Sequence, residues 1–235
     1  MFNVPNGKPG VLLNLTVQPR EVFYSGRDHA QYIALPVTVD GTLTSCPFNA
    51  PYIFQILAGT LMGRVTATGK FANSVLGQTG SATAASATSI QTDVNTAAEI
   101  VRRIGTSGTF KLTGPPTSGG TVATQVVTYT AVNTSTGVVT CSATSAAAVS
   151  ASLIQPTDGS DSILTMVADL YGIKVTDQTN VNRVDVFDPQ LLLAGGTINS
   201  QMIVNYPADT SLQSYVKSAI KAFAASVTFS DDIIG

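Results

Sequence analysis

The chain has 235 residues, enough for one large domain or two small ones around a real core, with 44% apolar but only 11% charged residues. A net charge of −2, with Arg102-Arg103 as the only adjacent basic pair, argues against a nucleic-acid binder, which must neutralise several phosphates. No apolar run reaches bilayer-spanning length and Met1 to Gly7 lacks the pattern of a secretory leader, so neither a membrane span nor a signal peptide is expected.

The missing charge is replaced by Ser, Thr, Asn and Gln. No Lys, Arg, Asp or Glu occurs over 71–92 or 112–157. An uncharged but polar surface suits a durable β structure. Cys46 and Cys141 lie far apart in different segments, which predicts free buried thiols and synthesis in a reducing cytoplasm.

Residues 1–20 read as an arm. Pro5, Pro9 and Pro19 oppose helix, while Val11, Leu13, Leu15 and Val17 alternate along one strand face. Such a strand at a chain end can close its own sheet or add to the edge of a neighbour. Strands are predicted over 21–24 and 32–39, the second with Pro36 inside it and an Asp40-Gly41 turn after it. His29, the only histidine, sits in a polar turn and reads as a surface residue.

The run 52–57 is strongly apolar. It leads into Gly59-Thr60-Leu61-Met62-Gly63-Arg64-Val65-Thr66-Ala67-Thr68-Gly69-Lys70, a glycine-bounded strand whose buried face is expected from Leu61, Val65 and Ala67. The same texture returns at Asp158-Gly159-Ser160-Asp161 followed by Ile163 to Asp169, which suggests two halves of one body with a segment between them.

That intervening segment has its own composition. Residues 78–89 and 143–152 are rich in Ser, Thr, Ala and Gly and read as flexible leads in and out. Asp93 to Ile104 fits a short helix capped by Thr92 or Asp93. Glu99 to Ile104 equally fits a first strand, which is the preferred reading, with Arg102-Arg103 at a solvated edge or turn. Thr109 to Thr113, Thr121 to Val132 and Val138 to Cys141, with a polar turn at 133–137, predict an antiparallel meander or small sandwich.

After it, strands are predicted at 163–170, 173–176, 184–187 and 202–206, with a helical turn at 190–194. The best helix is Thr210 to Ala225, capped by Asp209 or Thr210, with Leu212, Val216, Ile220 and Phe223 as an apolar stripe.

Catalytic motifs do not emerge. Gly105-Thr106-Ser107-Gly108 fails the nucleophile-elbow pattern, and neither a phosphate loop nor a dinucleotide fingerprint is present. Two acidic clusters occur, 158–161 and Ser230-Asp231-Asp232. Asp158 and Asp161 have oxygens that suit a hard cation but lack the full calcium-loop spacing, so a turn is the preferred reading. No enzyme, cofactor or metal is expected.

The segments 58–70, Asp158-Gly159-Ser160 with 163–169, and 191–206 with the following helix resemble the core of lambda-type bacteriophage head decoration proteins, over about 110 residues. The resemblance implies a mainly β fold: a small β-tulip or β-barrel-like body with a C-terminal helix, here split into 21–76 and 157–235. An antiparallel β-sandwich-like module at 77–156, absent from typical short members, is inserted between the halves. It further implies a homotrimer cementing the outside of an icosahedral phage head, with the major capsid protein as partner and the virion surface as location. Phe2, Val4, Val11, Leu13, Leu15 and Val17 would be the capsid-binding arm. The module is free to serve weak adhesion, including to host-surface glycans. A carbohydrate-binding adhesin or a tail or fibre component is the alternative. Two core-sized aromatics, Phe110 and Tyr129, are the only ones in the module and weigh against a sugar site.

Overall fold

A computed structural model of the chain describes residues 22–23, 31–33, 37–49, 52–169, 171–177, 182–187 and 193–232. The fold is mainly β, 34% strand and 17% helix, with a curled half-barrel sheet and two helices. Residues 1–20, including Phe2, Val4, Val11, Leu13, Leu15 and Val17, and also His29, lie outside the described residues.

In chain order the strands are β1 (Gln31–Tyr32), β2 (Thr38–Val39), β3 (Gln55–Ile56), β4 (Leu61–Arg64), β5 (Phe71–Asn73), β6 (Gly77–Gln78) and β7 (Ser89–Gln91). Helix α1 (Val94–Arg103) precedes β8 (Gly108–Gly114), β9 (Ala123–Asn133), β10 (Val138–Cys141) and β11 (Leu153–Gln155). Then come β12 (Thr165–Met166), β13 (Ile173–Lys174), β14 (Val186–Phe187) and β15 (Leu193–Ile198). Helix α2 (Thr210–Phe223), β16 (Ser226–Phe229) and a 3-10 turn at Ser230–Asp232 are the last elements among the described residues.

A five-stranded sheet runs β12-β4-β5-β2-β14. Its β4 pairs with β12, Thr165 against Met62 and Met166 against Leu61, so the two stretches of like texture share one sheet. Gly63 is required at this junction: a Cβ there would lie 2.0 Å from the Ser160 carbonyl oxygen. Leu61 and Val65 are buried as expected, together with Met62 and Gly63, whereas Ala67 is exposed in the following turn.

Residues 77–155 supply every strand of a six-stranded sheet, β6-β11-β8-β9-β10-β7. The expected antiparallel meander over 109–141 is present as β8, β9 and β10. The sheet curls until its two edges touch: Thr79 bridges Thr92, and the Gly80 amide donates to the Gln91 carbonyl at 2.8 Å. Inside lie Phe110 and Tyr129, both buried, with ring centroids 5.6 Å apart, along with Leu112, Val127, Val139 and Ile154. The sheet's entry and exit are adjacent, since β6 pairs with β11.

Several expectations are corrected. The stretch 94–103 is helix, not strand: the Asp93 carboxylate accepts from the amides of Asn95 and Thr96, and the buried Ala97 and Ile100 fall on one helical face. The Ser/Thr-rich leads are not loose. They run beside each other, Thr83 exchanging backbone hydrogen bonds with Ala148 at 2.8 Å each way, and Ser86 donating to the Thr144 carbonyl. Strand β15 occupies 193–198, so the end of the helical turn expected over 190–194 is strand, while 190–192 lie outside the described residues. A 3-10 turn begins the stretch read as a strand at 202–206.

Helix α2 matches its expected span. Asp209 caps it, and Leu212, Val216 and Ile220 are buried, each contributing about 1.5–3 kcal/mol of apolar burial. Phe223 departs from the stripe and is 46% exposed. The helix connects β15 to β16, which lie parallel, as a crossover requires.

Candidate interaction surface

Two constellations stand out, one buried and one exposed. The buried one fastens the six-stranded sheet to the rest of the chain. Arg103, at the end of α1, has a side chain only 1% exposed, which corrects its reading as a solvated residue. Its guanidinium donates to Asp158 Oδ2 at 2.8 Å, to Ser160 Oγ at 2.9 Å and to the Leu43 carbonyl. Arg102 donates to the carbonyls of Thr42 and Leu43 and pairs with the buried Glu99, which also accepts from Ser45 Oγ at 2.5 Å. Arg183 donates to the carbonyls of Gly41 and Thr44, with its guanidinium 4.1 Å from the centroid of the Phe54 ring. Four successive carbonyls, 41 to 44, are thus held by three arginines.

Electrostatics follow the burial. Desolvation pulls the Arg103 guanidinium below its ordinary value, opposed by Asp158. Desolvation with Arg102 nearby brings Arg183 down to about 10. For Asp158 burial acts upward, but the Ser160 hydroxyl and Arg103 outweigh it and hold the carboxyl below the usual aspartate range.

The turn reading of 158–161 holds. Asp158 Oδ1 accepts from the Ser160 amide and hydroxyl, and Gly159 has φ +99° with its α-carbon against Thr66. Asp161 pairs with Lys111 at 2.5 Å. One oxygen of each carboxylate, Asp158 Oδ2 and Asp161 Oδ2, is therefore engaged by a basic side chain. Among the described residues no three His, Cys, Asp or Glu side chains gather as a metal site requires. Both cysteines are free and buried, as expected. A cavity beside Ser45, Cys46, Phe48, Asn73 and Val204 measures about 10 Å³, room for about one water.

A second fastening lies at the start of α2. Asp209 Oδ1 caps the helix through the amides of Ser211 and Leu212. Its Oδ2 accepts from Ser118 Oγ at 2.9 Å and the Gly119 amide at 3.1 Å, in the loop between β8 and β9. Burial acts upward on this carboxyl, but the Gly119 amide and Ser118 hydroxyl outweigh it and hold it low.

The exposed constellation is apolar. Among the described residues, five of the eight exposed large hydrophobics are Phe48, Tyr52, Tyr171, Val184 and Phe187. Tyr52 and Tyr171 flank the pair β3 and β13, Val184 is bonded to the end of β13, Phe48 lies in the 3-10 turn 47–49, and Phe187 lies on β14 in the five-stranded sheet. The Gln55 amide donates to the Tyr52 carbonyl at 2.9 Å, and Gln55 Nε2 donates to the Tyr171 carbonyl at 2.7 Å. Farther along, the Val175 amide donates to the Phe54 carbonyl, and the Val184 amide to the Val175 carbonyl. Phe187, 75% exposed, ends the five-stranded sheet on β14. The turn before β13 is pressed onto β3, since a Cβ on Gly172 would lie 1.9 Å from the Ile56 carbonyl oxygen. Sequence reading placed Val184 and Phe187 in a strand and Tyr52 in an apolar run, assigned Phe48 and Tyr171 to no element, and marked none of the five as surface. The only signal available was aromatic residues at Phe48, Tyr52 and Tyr171 in segments dense with turn formers.

Comparison with known proteins gives no match to any family model, curated protein or solved structure.

Proposed function

We propose that this chain is a structural virion protein, a cement that binds the outside of an icosahedral phage head as a trimer and stabilises the expanded shell against packed DNA. The observation that carries the reading is the pairing of β4 with β12. It places β4, in the glycine-rich stretch 58–70, beside β12, the strand that follows the Asp158-Gly159-Ser160 turn, and so supports one body built from the two stretches that carry the resemblance. In this reading the body is tulip-like, 77–156 is an inserted module, and Phe2, Val4, Val11, Leu13, Leu15 and Val17 form the capsid-binding arm.

The physics of the task agrees. A shell under internal pressure separates at its subunit joints, and a cement needs shape and adhesion rather than catalysis. The arm's alternating strand can supply backbone hydrogen bonds to an exposed capsid edge. Three arms on one trimer multiply weak contacts through effective concentration. A protein that must hold under load also benefits from the arginine-held loop at 41–44 and the closed edges of the six-stranded sheet.

The module's aromatics do not favour the carbohydrate-binding alternative, because Phe110 and Tyr129 are both core residues. The test is sedimentation of the purified protein with undecorated, expanded heads of its own virus. Saturable co-sedimentation and retention of DNA at higher temperature are expected. Absence of binding would overturn the reading.

A further inference from the structure

We infer that the six-stranded sheet is clipped to the rest of the chain as a rigid unit, and that the clip opens and closes in one step, ahead of unfolding, about the paired strands β6 and β11. Three observations carry it.

First, the sheet keeps its own core. The cluster around Phe110 and Tyr129 is drawn entirely from residues 76–154, and the cluster around Val39, Met62 and Val167 takes none from that span. The sheet's edges close on each other through Thr79 and Thr92, with no help from outside it. A unit with a complete core keeps its structure when a neighbour moves away, so opening at the junction costs less than global unfolding.

Second, the attachment is mostly polar, and its fasteners are spread along β8. Before the strand, Arg103 donates to Asp158 and Ser160, while Arg102 and Glu99 engage residues 42–45. Within it, Lys111 alternates with the core residues Phe110 and Leu112 and pairs with Asp161, whose carbonyl also accepts from Gln155 Nε2 at 2.8 Å. After it, Ser118 Oγ and the Gly119 amide donate to Asp209. The seven residues of β8 are roughly 20 Å of strand, stiffened by pairing on both sides, so the two ends engage and release together. The apolar part is small: Val122 and Val149 are partly buried against the cluster that contains Leu61 and Met166. Hydrogen bonds broken on opening are exchanged for bonds to water, at modest net cost each.

Third, the root is narrow. The chain enters and leaves the unit through β6 and β11, Gln78 opposite Leu153 and Gly77 opposite Ile154. Leu153 stays with the core outside the sheet, and Gln78 Nε2 donates to the Asn205 carbonyl at 2.7 Å. Two adjacent strand ends are what a hinge needs, since a few terminal residues can absorb the rotation while both cores stay packed.

The experiment is amide hydrogen exchange followed by nuclear magnetic resonance on the full chain. The Gly119 amide reports the clip, because its acceptor Asp209 lies outside the unit. In the wild type, Gly119 is expected to be protected about a hundredfold or more weakly than the amides between β8 and β9, by an opening that hardly responds to low concentrations of urea. Arg103→Met is expected to speed Gly119 exchange about tenfold or more and Lys111→Met about threefold, although Gly119 bonds to Asp209 rather than to either. Lys111, with its side chain 31% exposed, leaves folding intact and decides the matter if Arg103→Met does not fold. Gly119 exchange that is unchanged in every variant that folds would show independent contacts with no common opening, and would overturn the inference. Gly119 protection and urea dependence equal to those of β8 and β9 would overturn it too, since the sheet would then open only by unfolding.

Discussion

At the scale of single residues, Arg103 carries the most weight. Removing it leaves Asp158 without its cation and the Leu43 carbonyl with Arg102 as its remaining donor, so Arg103→Met is expected to cost roughly 2–4 kcal/mol. That lies near the low end for a broken buried pair, because Asp158 is a third exposed and partly screened. Urea denaturation measures it, and a loss under 1 kcal/mol would show that the pair is ornamental.

Acid tests the carboxylates together. Asp40, Asp158, Asp209 and Asp231 are all held below the ordinary aspartate value, each because hydrogen bonds to the charged form outweigh its burial. A depressed folded value means that the unfolded chain takes up protons first. Stability from these groups is therefore complete above the ordinary aspartate value and drains away as pH falls through their lower folded values. Unfolding free energy from pH 7 to 2 should be flat at first and drop below about pH 4. Asp209→Asn should flatten part of that drop. Little of this was legible in the sequence. Arg102-Arg103 looked like an ordinary solvated pair because nothing local reveals that Gly41 to Thr44 and Asp158, both distant in sequence, fold onto it.

At the scale of elements, the junction of β4 and β12 depends on backbone approach. Gly63→Ala would place a methyl 2.0 Å from the Ser160 carbonyl oxygen and 2.4 Å from that of Ser162. Neither is a flexible side-chain end, so a loss of about 3 kcal/mol or more, or failure to fold, is expected in thermal denaturation. Removing the Asp209 cap by Asp209→Ala should cost about 1–2 kcal/mol, and more than a cap alone if the Ser118 and Gly119 contacts matter.

Elements were legible where period and cap agreed. Helix α2 combined an Asp cap with Leu212, Val216 and Ile220 at helical spacing. Helix α1 was set second to a strand because Ile100 and Val101 favour strand locally, whereas the Asp93 cap, the Glu99–Arg102 pair and burial of Ala97 and Ile100 decide for helix. Strand β15 was hidden by Gly195-Gly196, a residue type that strands disfavour, although both lie inside the parallel pairing with β16. The low-complexity leads read as flexible because small polar residues carry no period. Their order comes from pairing with each other, a contact between residues about sixty apart.

At the scale of the molecule, the six-stranded sheet enters and leaves through neighbouring strands, with Gln78 opposite Leu153. Replacing residues 79–152 by Asn-Gly would join these two positions with a hairpin turn. The shortened chain should still fold, because Leu153 remains in the core cluster with Leu61 and Met166. It should unfold at lower temperature, since the Arg103, Lys111 and Ser118 contacts to the body are gone. Near-ultraviolet circular dichroism and a melting curve check this, and a chain without tertiary signal would show that the two parts form one inseparable core.

The mainly β character and the relation between 58–70 and 158–169 could be read from sequence, because glycine spacing and apolar runs are local. The exposure of Tyr52, Tyr171 and Phe187 could not, since whether they face water depends on which sheets cover them.

The most direct measurement is an electron cryomicroscopy map of undecorated, expanded heads incubated with the purified protein. The cement reading predicts new density on the outer surface in groups of three at the three-fold and quasi-three-fold positions. Heads that remain bare, or density confined to the tail, would contradict it.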